Sequence, residues 1–122
     1  MLTQIEALQS HIKKLNDRCS SKGVVVVVEG KRDVAALKPI LKADFFILNN
    51  GINRSLYETA EVLASSYRSV ILMFDADTKG KELGRKMKSY LQMHGLPVRE
   101  DDRLLKLSRA RAVEDIRTPA SL

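Results

Sequence analysis

Apolar residues along this chain alternate between helical spacing and short unbroken runs. Leu2, Ile5, Leu8, Ile12 and Leu15 recur every three or four residues, which predicts an amphipathic helix over about residues 2–18, packed on a sheet or on a partner. Two heptads are too few to specify a coiled-coil seam. A polar connector follows, and Val24–Val28 is then five β-branched residues without alternation, the pattern of a central strand covered on both faces. Glu29-Gly30 makes a turn. Val34, Leu37 and Leu41 place a helix over 33–41, with Pro39 positioned to kink it or end it early. A second strand is expected over 44–48, ending in Asn49-Asn50-Gly51, residues that tolerate positive φ and expose backbone amides. Ser55 and Glu58 form a capping-box pattern before a helix over about 56–64.

The second half repeats the alternation. Ser69–Phe74 is a third strand and Thr78–Met93 the longest helix, with Leu83, Met87, Tyr90 and Leu91 on one side. Gly95 and Pro97 stop it. A short fourth strand is expected over 96–99, a helix over 103–107 capped by Asp101 or Asp102, a further turn over 113–116, and a loose RTPASL tail. Strand–helix alternation with short connections predicts an α/β fold: a mostly parallel four-stranded sheet with helices on both faces, in a three-layer sandwich. The 122 residues fit one domain, a core over about 23–98 carrying an N-terminal helix and a helical extension over 101–117. In such sheets ligands bind beyond the carboxyl ends of the strands.

Composition narrows the chemistry. Apolar residues are 44% and charged residues 30%, ordinary values for a globular domain, and aromatics are only 5% with no Trp. So few aromatics argue against a base-stacking platform. No run is long enough to span a membrane and no signal-peptide pattern opens the chain, so a cytoplasmic location is expected. The lone Cys19 excludes an internal disulfide or cysteine cluster, and His11 and His94 lie in separate helical patterns. The net charge is +6, unevenly placed. Residues 1–77 carry ten Lys/Arg against nine Asp/Glu, and residues 78–122 eleven against six. That excess suits a nucleic-acid backbone, DNA or RNA, although a solubilising surface explains the same count.

The stretch VILMFDADTKG, Val70–Gly80, carries the sharpest signal. Residues two apart on an extended backbone point the same way, so Asp75 and Asp77 share a face at a strand mouth, where they repel unless a cation intervenes. An uncompensated pair there has no structural return. Glu29 ends the earlier strand in the same manner, and if the two strands are parallel neighbours the three acids converge. Hard oxygen ligands without His or Cys select Mg2+, or Mn2+, with Asp75 and Asp77 as ligands. Glu29 is a third ligand or a proton carrier. Lys31, Arg32, Lys79 and Lys81 stand close in sequence to these acids, and Asn50 and Gly51 in the neighbouring turn; all are candidate contacts to substrate phosphate or sugar. Each has a plainer competitor: acids are common at strand ends, Asp33 is best read as assisting its helix start, and Lys31 and Arg32 can simply balance local charge.

Glu29-Gly30 with Asp33, followed by Asp75-Ala76-Asp77 with Gly80, resembles the two signatures of the Toprim domain shared by topoisomerases, bacterial primases and small maturation nucleases. The resemblance covers about Gly23 to Val98, and the length and the ending LLKLSRARAVEDI are similar to small stand-alone archaeal Toprim proteins. It implies a Toprim fold, Glu29 as general acid or base, Asp75 and Asp77 as the Mg2+ pair, and Gly51 near the catalytic edge. The topoisomerase tyrosine domain and the further regions of a primase have no counterpart here. A small nuclease is therefore the leading expectation. The alternative is a non-catalytic nucleic-acid-binding or assembly module, with a protein partner or second copy on the N-terminal helix. FDADT also resembles the aspartyl-phosphate motif of haloacid-dehalogenase-like phosphatases, with Asp75 as nucleophile. That family opens with this strand and needs motifs well downstream, so this reading ranks last.

Overall fold

A computed structural model describes residues 3–117. Four parallel strands, β1 (Val24–Val28), β2 (Asp44–Ile47), β3 (Ser69–Leu72) and β4 (Val98–Glu100), form one sheet in the order β2-β1-β3-β4. The five valines of β1 thus sit in the middle, and Val25 to Val28 are fully buried. Alternation along the strands sorts two cores. Val26, Val28, Ile71 and Met73 pack with Leu8, Ile12 and Leu15 of α1 (Gln4–Cys19), Leu37 of α2 (Lys31–Leu37) and Leu104 and Leu105 of α5 (Arg103–Ser108). Val25, Val27, Val70, Leu72 and Phe74 pack with Ala60 and Leu63 of α3 (Leu56–Ser66) and Met87 and Leu91 of α4 (Thr78–Met93). Helices therefore cover both faces, and the expected three-layer sandwich is what the chain forms.

Local chemistry explains the boundaries. Helix α2 starts two residues before the expected Asp33 and stops at Leu37, ahead of Pro39, so the proline ends the helix instead of kinking it. Ser55 accepts from the Glu58 N–H while the Glu58 carboxylate accepts from the Ser55 N–H, the reciprocal capping box. The Ser55 N–H, and after it the Ser55 hydroxyl, hold the Glu58 carboxyl pKa below the usual carboxylate range. Of the expected strands, β3 is shorter, ending at Leu72, and β4 is shifted to Val98–Glu100. The cap of α5 comes from Asp101, whose Oδ2 accepts from the Leu104 N–H at 3.1 Å. Helix α1 spends its apolar stripe on the sheet, leaving Ile5 exposed as the large apolar residue on its outer side. The expected Leu2 contact and all but Arg117 of the expected tail lie outside the described residues. Among those described, no helix is long and apolar enough to cross a membrane.

Candidate functional site

Strands β1 and β3 are parallel neighbours, so Glu29 and the Asp75–Asp77 loop emerge at the same carboxyl edge. Their register pairs Val27 with Leu72. Carried two residues on, it sets Glu29 level with Phe74, one residue short of Asp75. Among the described residues, no three His, Cys, Asp or Glu side chains stand close enough together to hold a single ion. The three acids share a neighbourhood without forming a ready-made cage.

They are still close enough to feel one another. Burial raises the Glu29 pKa above its ordinary value; the Lys79 ammonium draws it back, while the charges of Asp75, Asp33 and Asp77 push it higher. Asp33 is buried, and its pKa is also raised, first by burial. The Gly30 N–H, donated to Asp33 Oδ2 at 3.0 Å, opposes that rise, and Asp75 and Glu114 add to it. Asp33 therefore assists its helix start, as expected, and also belongs to the acidic group at the sheet edge.

Asp75 and Asp77 have structural partners that the sequence pattern did not suggest. Asp77 is the N-cap of α4, its Oδ1 accepting from the Gly80 N–H at 2.7 Å. Asp75 Oδ1 accepts from the Val113 N–H at 2.8 Å. The premise that this pair has no structural return is thus corrected: each carboxylate commits one oxygen to the backbone. The second oxygen of each has no hydrogen-bond partner among the described residues. Gly80 is fixed by the same turn, because a Cβ there would lie 2.1 Å from the Asp75 carbonyl oxygen. The Asp75–Gly80 turn closes only on glycine.

The candidate phosphate contacts divide. Lys79 reaches the field of Glu29. Lys81 lines an open groove of about 380 Å3 together with Asp75, Phe74, Leu105, Glu100 and Asp102. The Asn49 N–H donates to the Glu29 carbonyl at 2.9 Å, which sets the following turn beside the edge. There Asn50 Oδ1 accepts from the Ile52 N–H, and Gly51 takes a φ of 83° with open space around it. Lys31 and Arg32 project into solvent, and Arg32 lies 3.9 Å from Glu114. Glu114, Asp101 and Glu100 were missed as neighbours of the edge. Glu100 and Asp101 come to the edge because β4 runs to Glu100 instead of stopping at residue 99, and the only advance signal of Glu114 was the ending LLKLSRARAVEDI, whose fold-back no local pattern reveals.

Comparison with known proteins gives consistent results. A family model described as Toprim domain matches residues 24–112. A UPF0292 protein of Methanosarcina barkeri is 31% identical over 94% of this chain and 77% of its own length. Another, from Thermococcus onnurineus, is 35% identical over 86% of this chain and 75% of its own. A solved structure of a protein from Aquifex aeolicus superposes with a TM-score of 0.72 at 31% identity, covering 89% of this chain and 97% of that one.

Proposed function

This chain belongs to the Toprim domain family, and on that premise we propose that it carries out divalent-metal-dependent phosphodiester chemistry on nucleic acid, as a small nuclease. The observation that carries the reading is the pair Asp75 and Asp77 at the mouth of a central strand, each with one carboxylate oxygen left over from its backbone bond. All-oxygen donors of this kind suit Mg2+ or Mn2+. Magnesium keeps much of its water and takes one or two protein carboxylates together with substrate phosphate, so a three-acid cage is not required. Bound there, the ion would supply positive charge where negative charge develops on the phosphate.

The protein side chains do the rest. Glu29, with its raised pKa, exchanges a proton with the attacking or leaving oxygen, and Lys79 holds charge beside it. Lys81 contacts phosphate from the rim of the groove, and the Asn50-Gly51 turn offers backbone amides at the edge's other flank. Lys31 and Arg32 act as outer contacts, reaching a backbone only as it approaches along α2.

A cleavage assay over structured RNA, single strands and duplexes, with Mg2+ or Mn2+, tests this. Cutting should require the metal, stop with chelator, and fall by at least about 100-fold in Asp75→Asn, on the scale of lost electrostatic stabilisation. An asparagine still accepts from the Val113 N–H, so the fold is retained. No cleavage of any substrate would remove the enzyme reading. The same two backbone bonds favour a second reading, in which the acids are structural and the domain binds nucleic acid without cutting it. Salt-sensitive binding without cleavage, unchanged in Asp75→Asn, would establish that alternative.

A further inference from the structure

After α5 the chain turns back across the sheet edge. Arg109 takes a left-handed conformation, φ 57°, and the following residues run along the Asp75–Ala76 loop. The Ala76 N–H donates to the Arg111 carbonyl at 2.7 Å, and two residues on the Val113 N–H donates to Asp75 Oδ1 at 2.8 Å. Val113 and Ile116, both buried in the core under α2, anchor the far side. A backbone strap is thus bonded at two points to the loop that carries Asp75. Its carboxylate-binding N–H belongs to residue 113, just beyond the 24–112 segment matched by the family model.

We infer that this strap is a positioning element for metal binding: the Val113 N–H holds Asp75 Oδ1, so that Oδ2 is the oxygen offered to a divalent cation. The inference rests on the proposed role of Asp75. A carboxylate fixed in this way loses its rotational freedom before the ion arrives, and its orientation is set by a group that never touches the ion. With one oxygen held by a backbone donor, Asp75 is arranged for single-oxygen coordination. That suits the compact octahedral shell of Mg2+ better than the larger Ca2+ shell, which often takes both oxygens of a carboxylate.

The strap's geometry supplies a clean test. Ala112 has φ −107° and ψ 142°, the conformation favoured before proline. Val113 opens a 3-10 turn in which its own N–H is not needed. Val113→Pro therefore removes the bond to Asp75 with little change of backbone, and Val113→Ala serves as the control for lost side-chain packing. Mn2+ binding is measured by calorimetry on wild type, both variants and Asp75→Asn, with folding followed by circular dichroism. Val113→Ala should stay within about threefold of wild type and Val113→Pro should bind about 10-fold to 100-fold more weakly, the usual effect of losing an orienting partner. The preference for Mg2+ over Ca2+ should narrow in Val113→Pro alone. Equal affinities in the proline and alanine variants would overturn the inference. Should Val113→Pro fail to fold, a backbone ester at position 113 removes the same N–H while keeping the valine, and the same comparison decides. Wild type that binds no Mn2+, or Asp75→Asn that binds it equally well, would instead overturn the metal role of Asp75 itself.

Discussion

At the scale of single residues, two glycines of α4 separate helix propensity from packing. Alanine is favoured over glycine inside a helix by about 1 kcal/mol, so propensity alone makes both Gly80→Ala and Gly84→Ala stabilising. At Gly80 the added Cβ would meet the Asp75 carbonyl at 2.1 Å, a backbone atom held by the turn. Gly80→Ala should therefore destabilise by about 1–3 kcal/mol in urea unfolding, the range of core overpacking, despite its propensity gain. At Gly84 the nearest atom is Glu100 Oε1 at 3.1 Å, the far end of a flexible side chain that can move away. Gly84→Ala should be neutral or stabilise by up to about 0.5 kcal/mol, below the full propensity gain. Similar effects at the two sites would contradict the Asp75–Gly80 contact. Glu29 permits a pH test. Its pKa is raised in the folded state, so the contribution of Glu29 to stability is full below the ordinary glutamate range and is lost as pH rises through the raised value. Glu29→Gln should remove that decline and leave the protein at neutral pH as stable as wild type, or more stable by no more than about 0.5 kcal/mol for a partly exposed group. A clear loss of stability in Glu29→Gln at neutral pH would mean that Glu29 forms a favourable contact which the raised pKa contradicts.

At the scale of elements, Asp77 joins the start of α4 to the proposed chemistry, and two substitutions divide the roles. Asp77→Ala removes the acceptor for the Gly80 N–H and should cost about 1 kcal/mol, an ordinary N-cap loss. Asp77→Asn keeps the cap and should be close to neutral in stability, yet it removes the charge that holds a cation. Denaturant unfolding alongside Mn2+ calorimetry reads the two effects separately; full metal affinity in Asp77→Asn would make Asp77 a cap and nothing more. This dual use shows what the sequence could convey. Periodicity, the Ser55–Glu58 pair, Pro39 and Gly95 mark where elements begin and end because those are short-range effects, and the helices and strands appeared close to where they were expected. Val24–Val28 declared itself central because it lacks a polar face. The ties across elements were not legible. His11 Nε2 lies 2.8 Å from Asp101 Oδ1, and the Gln4 side-chain amide reaches the Leu107 carbonyl, so α1 is stitched to the residue after β4 and to α5 from 90 and 103 residues away. Pairing at that separation depends on the fold and leaves no local pattern. The Val113 bond to Asp75 was hidden for the same reason.

For the whole molecule, the question is whether the positive excess after residue 77 is a binding surface or only a solubilising one. The charges of α4 are not equivalent. Lys86 lies 3.4 Å from Glu82, one helical turn away, and is partly neutralised there. Lys79 and Lys81 stand at the carboxyl edge, one in the field of Glu29 and the other on the groove beside Asp75. A nucleic acid whose phosphate reaches that edge releases counterions at these two lysines before it does so at Lys86. Affinity for duplex or single-stranded oligonucleotides should fall steeply with salt. Lys79→Gln with Lys81→Gln should reduce the slope of log K against log salt by about 1–2, because each phosphate contact contributes slightly less than one unit. Lys86→Gln should change it by much less than one unit. Titration by fluorescence anisotropy over a range of salt reads all three proteins on one scale. Equal slopes for the edge pair and for Lys86 would mean that the protein senses only diffuse charge. A smaller slope for the edge pair alone places the phosphate backbone beside Glu29 and Asp75, where the proposed chemistry requires it.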